Sequence, residues 1–311
     1  MRTLAWFSMH RGALSGGRFW ALAAPYGWLA LFFLAPLALV AKISLSKSVI
    51  AQPPYEPVFS LADGPAGWLQ KAQGFALTAY RGLGDDPLYL ESYLSSLAIA
   101  GVSTLIALLI AYPLALAIAR SDPRYRATLI ALAVAPFWTS FLIRVYAWIA
   151  ILKDEGFLNH ALMAIGVIDK PIPIFATNTA VVIGIVYSYL PFVVLPIYNS
   201  LEKQDASLRE AAADLGAGAL ATFWKVTLPL SLPGVIAGAL LMFIPAVGEF
   251  VIPDLLGPSD LLTIGRTLWD EFFNARNWPG ASAVAVAMLA VLIVPILFYQ
   301  RAQLRASEAK R

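Results

Sequence analysis

The sequence has no cysteine, only two histidines and 13% charged residues, about half the roughly 25% usual in a soluble globular domain. Each shortage excludes something. Without cysteine there is neither a disulfide framework nor a thiolate metal site, and His10 and His160 have no paired-ligand spacing. No Gly-x-x-x-x-Gly-Lys-Ser/Thr run occurs, so the chain lacks the loop that cradles nucleotide phosphates. Clustered His, Ser/Lys or paired carboxylates, which a membrane enzyme would need at one face, are missing too, and no internal repeat is visible. A formal charge of +3 gives no footprint for nucleic acid.

What the sequence has in abundance is apolar length, with 59% hydrophobic residues. Six stretches reach the roughly 20 residues that cross a hydrocarbon core as helix: Trp20 to Leu45, Leu94 to Ala119, Thr128 to Leu152, Thr179 to Leu201, Pro233 to Leu256 and Gly280 to Gln300. Arg2, Arg11 and Arg18 precede the first, which is too long for a signal-peptide core and reads as an uncleaved span. All six contain or abut proline or glycine, so a kinked all-α bundle is expected. With the N-terminus inside, thirteen Lys/Arg lie on the cytoplasmic side and seven outside, which places both termini in the cytoplasm. The organisation is then a tail (1–19), a six-span domain (20–300) with a cytoplasmic segment at 202–232, and a second tail (301–311). Outside are a Pro- and Gly-rich loop, Ser46 to Ser92, a short second loop, Lys153 to Asn178, and a third, Gly257 to Trp278. In the third, Leu261, Ile264, Leu268 and Phe272 have helical spacing, which predicts an amphipathic helix at the surface or against the bundle.

The long polar interruption runs from Asp205 to Pro229. Asp205 or Ser207 is placed to cap a first helix, and Ser207 with Glu210 has capping-box spacing. Gly216 supplies a left-handed stop. A second turn, Ala219 to Val226, should end at Leu228 and Pro229, because proline does not continue a helix. The product is a bent knob with a thin, alanine-lined face.

Polar atoms inside spans are costly and ask for a reason. Arg144 in the third span, with Glu249 and Asp254 in the fifth, are the charges that lie within the predicted helices beyond their first turns; Lys42 is near enough to an end to snorkel. The third span also carries Trp138, Tyr146 and Trp148, and the fourth Tyr187 and Tyr189 beside Pro191. Interfacial anchoring explains Trp148, whereas Tyr187 and Tyr189 lie deeper, where they can line a path. A carboxylate with aromatic neighbours suits an organic ammonium. For Glu249 and Arg144, at similar depth, two readings stay open: a structural ion pair, or a carboxylate facing the path beside Tyr187 or Tyr189 while Arg144 bonds carbonyls freed by a kink; the two can also alternate as the path opens.

Glu210, Ala211, Ala212, Gly216 and Leu228-Pro229 stand at the spacing of the EAA loop of ABC importer permeases, which the chain resembles, with Val226 where isoleucine is usual. The resemblance implies a type I permease fold and coupling to an ATP-binding subunit through Glu210, Ala211, Ala212, Gly216, Phe223, Lys225, Leu228 and Pro229. The segments Ser140 to Lys153, Phe243 to Gly257 and Ile264 to Ala285 are similar to polyamine importer permeases, closest to the putrescine type known as PotH. That likeness implies a bacterial inner-membrane complex of this chain, a second homologous permease, an ATP-binding subunit dimer and a periplasmic polyamine-binding protein. Glu249, Asp254, Arg144, Tyr146, Tyr187, Tyr189 and Trp138 are then the candidates for the path. No cofactor or metal is expected on the chain, nor enzymatic activity of its own; ATP and Mg belong to the partner. A permease for spermidine, an opine or ferric iron is the alternative, and a stand-alone secondary transporter a remoter one, opposed by the EAA spacing and the lack of inverted repeats.

Overall fold

The computed structural model describes residues 16–308; the tail positions 1–15 and 309–311, with His10, Arg2, Arg11, Lys310 and Arg311, lie outside the described residues. Helix α1 (Gly16–Leu29) passes through a π-turn (Ala30–Leu34) into α2 (Ala35–Ser44), and together they make the first span. An antiparallel pair, β1 (Lys47–Ser48) and β2 (Tyr55–Glu56), and two short helices, α3 (Gly64–Ala72) and α4 (Thr78–Asp85), follow. The second span is α5 (Pro87–Arg120). Then come α6 (Pro123–Val134), a 3-10 turn (Ala135–Trp138), α7 (Phe141–Leu152) and α8 (Phe157–Ala164). The fourth span is α9 (Asn178–Glu202). The polar segment forms α10 (Ser207–Asp214) and α11 (Ala219–Thr222), and a π-turn (Phe223–Thr227) leads into α12 (Leu228–Val247). Last are α13 (Val251–Leu256), α14 (Ile264–Trp269) with a π-turn (Asp270–Asn274), and α15 (Trp278–Glu308). Among the described residues, five helices are long and apolar enough to span, or six when the bent third pair counts as one.

The chain divides into two units, residues up to Tyr80 with Asn277–Val286, and Arg81–Arg276 with Ala287–Arg311. Within the first, Lys42 does more than snorkel. Its ammonium donates to the Pro57 carbonyl and lies 4.1 Å from the Tyr55 ring centroid and 5.3 Å from that of Phe59. Further along, Ala76 N–H donates to the Leu45 carbonyl (2.8 Å) and Ser44 Oγ meets Tyr80 Oη (2.8 Å). The loop expected to be irregular is therefore fastened back onto the end of its own span.

Within the second unit, α5, α9 and α12 pack on one another. The buried stripe of α5 is small: Ser92, Ser96, Ala100, Ser103, Ala107, Ala111 and Ala115, at three- and four-residue intervals. Lipid gives no hydrophobic drive for helices to associate, so close backbone approach through small residues supplies the contact energy. Gly234 shows how close, since a Cβ there would stand 2.4 Å from the Pro196 carbonyl oxygen. Asp86 caps α5 by accepting Leu88 N–H (2.9 Å), and Thr177 caps α9 by accepting Ala180 N–H (3.3 Å).

Four expectations are corrected. The third span is not one helix over Thr128 to Leu152 but two pieces bent by 87°. Pro136 has no N–H to continue the ladder, and where the 3-10 turn ends Thr139 Oγ1 donates to the Pro136 carbonyl (2.8 Å). The fifth stretch, expected from Pro233 to Leu256, runs without a stop from Ala219 to Val247 and then breaks at Gly248–Phe250. Pro229 does not end the second turn: Leu228 N–H bonds five residues back to the Phe223 carbonyl. That wider π-turn shifts the ladder where the proline ring would clash with the carbonyl four residues earlier. The Ser207–Glu210 capping box is also absent. The turn begins a residue early, with Arg209 N–H on the Ala206 carbonyl (3.0 Å), so Ser207 is already inside it. Asp205 instead accepts Ser207 N–H (3.0 Å).

Candidate translocation site and coupling surface

Glu249 sits in the break between α12 and α13, 9% exposed. Its Oε1 accepts the N–H groups of Val251 (3.0 Å) and Ile252 (3.3 Å), and Oε2 accepts the Tyr189 hydroxyl. A buried carboxylate is tolerable only when its lone pairs are filled, and here three donors fill them. Two of these are the free N–H groups that open a helix, whose partial positive charge favours an anion. Aromatic rings continue on both sides. Tyr189 lies near Phe192 (centroids 6.2 Å), Phe192 is edge-on to Phe137 (5.0 Å), and Phe250 stacks on Trp269 at 4.6 Å.

Arg144 is buried, 8% exposed, and is not the partner of Glu249: no ion pair within 4 Å joins them. Its Nη1 donates to the Pro136 carbonyl (3.1 Å), and its guanidinium lies 4.8 Å from the Phe137 ring centroid and 5.8 Å from that of Phe141. The Pro136 carbonyl belongs to the 3-10 turn where the chain bends, and Thr139 and Arg144 both donate to it. Nε has no hydrogen-bond partner. Of the two arrangements left open by the sequence, the ion pair is not formed and Arg144 bonds a carbonyl at the kink, with the Tyr189–Phe192–Phe137 series linking the two charges.

The remaining path candidates are not brought to this place. Asp254 is exposed on α13 and pairs with Arg266 Nε at 3.7 Å. Trp138 is 78% exposed and Tyr146 is exposed too. Tyr187 is edge-on to Trp148 (5.3 Å), and both line a groove of about 700 Å³ between α5 and α9 that has no charged side chain. Phe137, Phe192, Phe250 and Trp269 escaped the sequence reading. Only the Tyr189/Phe192 spacing of three, which puts both on one helix face, was a signal.

In the polar segment, Gly216 has φ +80°. Ala217 N–H bonds the Ala212 carbonyl (3.0 Å) and Gly216 N–H the Ala213 carbonyl (2.8 Å), the paired bonds of a Schellman stop. Glu210, Ala211, Lys225 and Pro229 are exposed, with Ala212 and Leu228 half-buried. Phe223 instead turns inward, edge-on to Tyr112 (5.5 Å), while Gln204 donates to the Thr227 carbonyl (3.0 Å), so both hold the knob to the bundle. Its free surface carries apolar side chains that the sequence reading passed over: Leu215, 89% exposed, with Leu208, Leu220 and Trp224. On a polar, helical projection, such a surface has the makings of a contact.

Residues 103–307, which include this knob, Arg144 and Glu249, match the family described as binding-protein-dependent transport system inner membrane component. The chain belongs to this family. A member from Haemophilus influenzae, the spermidine/putrescine transport system permease protein PotB, is 40% identical over 90% of this chain and 92% of its own length. PotB of Escherichia coli is 45% identical over 70% of this chain and 79% of its own. Among solved structures, a bacterial ABC transporter that imports the acidic polysaccharide alginate aligns with TM-score 0.66 at 16% identity, over 93% of this chain and 96% of that one. The MetNI methionine ABC transporter aligns at 0.51 and 20%, over 69% and 94%. The chain is an inner-membrane component with the type I ABC importer permease fold. Its features divide into a charged break within the spans and a knob at their end.

Proposed function

We propose that this chain is the permease subunit of an ATP-driven polyamine importer, with putrescine as the preferred cargo, and that it supplies half of the path. The observation that carries the reading is Glu249, a buried carboxylate with no cationic partner among the described residues, opening a helix among aromatic rings. An ammonium group can exchange with the Tyr189 hydroxyl there, gaining an ion pair and ring faces together. The spermidine/putrescine permeases at 40% and 45% identity support the same cargo class.

ATP hydrolysis is assigned to a partner dimer. The knob from Asp205 to Pro229 seats in it, with Leu215, Leu220 and Trp224 providing the apolar contact and Gly216 the turn. A second homologous permease completes the path, and a periplasmic binding protein delivers the polyamine. This chain binds no cofactor in the cycle. The test is uptake of labelled putrescine against labelled spermidine in a strain lacking the gene, complemented with wild type or Glu249→Gln, with ATP hydrolysis of the purified complex measured alongside. Wild type should restore uptake, putrescine first, and Glu249→Gln should hydrolyse ATP without moving either. Uptake by Glu249→Gln at the wild-type rate defeats the site, and uptake of neither polyamine by wild type defeats the substrate class.

A further inference from the structure

We propose that the cytoplasmic ends of the second and fourth spans form a binding site for a phosphate group, presented at that depth by an anionic membrane lipid. A cavity of about 140 Å³ lies where α5 ends, α6 begins, α9 ends and α10 starts, and Arg120, Arg126, Arg209, Glu202 and Gln204 line it. Three guanidiniums therefore face one carboxylate.

That carboxylate pairs with Arg126 alone and leaves two positive charges in excess. Arg126 Nη1 stands 3.8 Å from Glu202 Oε1, beyond hydrogen-bond length, while its Nε donates to the Ser121 carbonyl (3.1 Å). Gln204 is engaged with the Thr227 carbonyl. Among the described residues, the Arg120 and Arg209 guanidiniums have no hydrogen-bond or ion-pair partner. The carbonyl ends of α5 and α9 are also here and oppose an anion, so the excess guanidinium charge has to outweigh them. Like charges gathered around a small polar cavity repel until an anion enters, and planar guanidinium forks match phosphate oxygens two at a time. Basic pockets between membrane helices on the cytoplasmic side lie at the level of lipid headgroups. Arg209 belongs to α10, the helix of Glu210, Ala211 and Ala212. An occupied site thus ties the knob to the end of α5, whatever substrate the path carries.

The experiment uses the full chain, delipidated in detergent, in native mass spectrometry with dioleoyl phosphatidylglycerol and dioleoyl phosphatidylcholine. Wild type should retain the anionic lipid roughly tenfold more than the zwitterionic one, and the double variant Arg120→Gln/Arg209→Gln should lose that preference. Circular dichroism checks its fold, and Arg120→Lys/Arg209→Lys, which keeps charge but not the forks, should fall between and serves if the glutamine pair misfolds. Inorganic phosphate at about 10 mM distinguishes the sources of the phosphate group: displacement of the lipid supports a site open to free anion, and retention supports one committed to lipid. Equal retention of the two lipids by wild type, or an unchanged preference in the double variant, overturns the proposal. So does chemical protection of the two arginines that arises only when the ATP-binding subunit is added, since a partner carboxylate would then be the occupant.

Discussion

Glu249 accepts three hydrogen bonds, two from backbone, and this separates its charge from its shape. In Glu249→Gln one oxygen can still accept Val251 and Ile252 N–H, so membrane abundance should hold while polyamine uptake falls by more than tenfold, as a purified-complex transport assay would read. Glu249→Ala strips the cap as well and should lower thermal stability by about 1 kcal/mol. Arg144 has its own partners, so the two sites should act independently. The stability losses of Arg144→Gln and Glu249→Gln should add to within about 0.5 kcal/mol in the double variant. Recovery of stability by the double would reinstate the ion pair. Both residues were legible in the sequence as charges inside spans, but their partners were not. Tyr189 lies on another segment of chain from Glu249, and Pro136, eight residues before Arg144, has no spacing that marks the contact.

At the scale of elements, the backbone sets the outcome. Nothing lies within 4 Å of a Cβ built on Gly216, so only its φ of +80° resists a side chain. Gly216→Val should cost about 1 to 2 kcal/mol in the knob, leaving insertion intact but abolishing association with the ATP-binding subunit in a pull-down; Gly216→Asn should associate normally. Asp205 is held below the usual carboxylate range by the Ser207 N–H it accepts. Its contribution is therefore complete above the ordinary carboxylate pKa and lost only as pH falls through the lower folded value. Coupling between about pH 6 and 8 should not change on its account. Gly265 on α14 tests the helix break, because a Cβ there would stand 2.6 Å from the Gly248 carbonyl oxygen and 2.8 Å from that of Glu249. Gly265→Ala must push that backbone, and it should reduce uptake several-fold with ATP hydrolysis retained. The predicted third-loop helix does exist, and of its two placements the structure takes the packed one: Ile264 N–H donates to Ser96 Oγ and Thr267 meets Ser92.

For the whole molecule, delivery from outside is the step that the loop after α2 can serve. Asp63 caps its turn at Ser60 and pairs with Lys71 at 2.6 Å, and Trp68 donates to the Ser60 carbonyl. Shortening Glu56 to Gly67 should remove stimulation of ATP hydrolysis by loaded binding protein and leave the basal rate; unchanged stimulation makes the loop a connector. The sequence by itself determined the membrane class, the six apolar stretches and the knob's stop at Gly216. Hydropathy, helical period and a left-handed turn residue are local properties, readable within one segment. It also placed the charges that have no business in lipid. Tertiary structure decided where the helices break, that Pro229 is passed by a π-turn, that Phe223 anchors the knob, and that Glu249 meets Tyr189 instead of Arg144. Those outcomes depend on which neighbouring segment supplies a donor, a ring or a carbonyl, and on backbones close enough for only glycine to fit. Contacts such as Glu249–Tyr189 and Phe223–Tyr112 join residues that no single stretch of sequence contains.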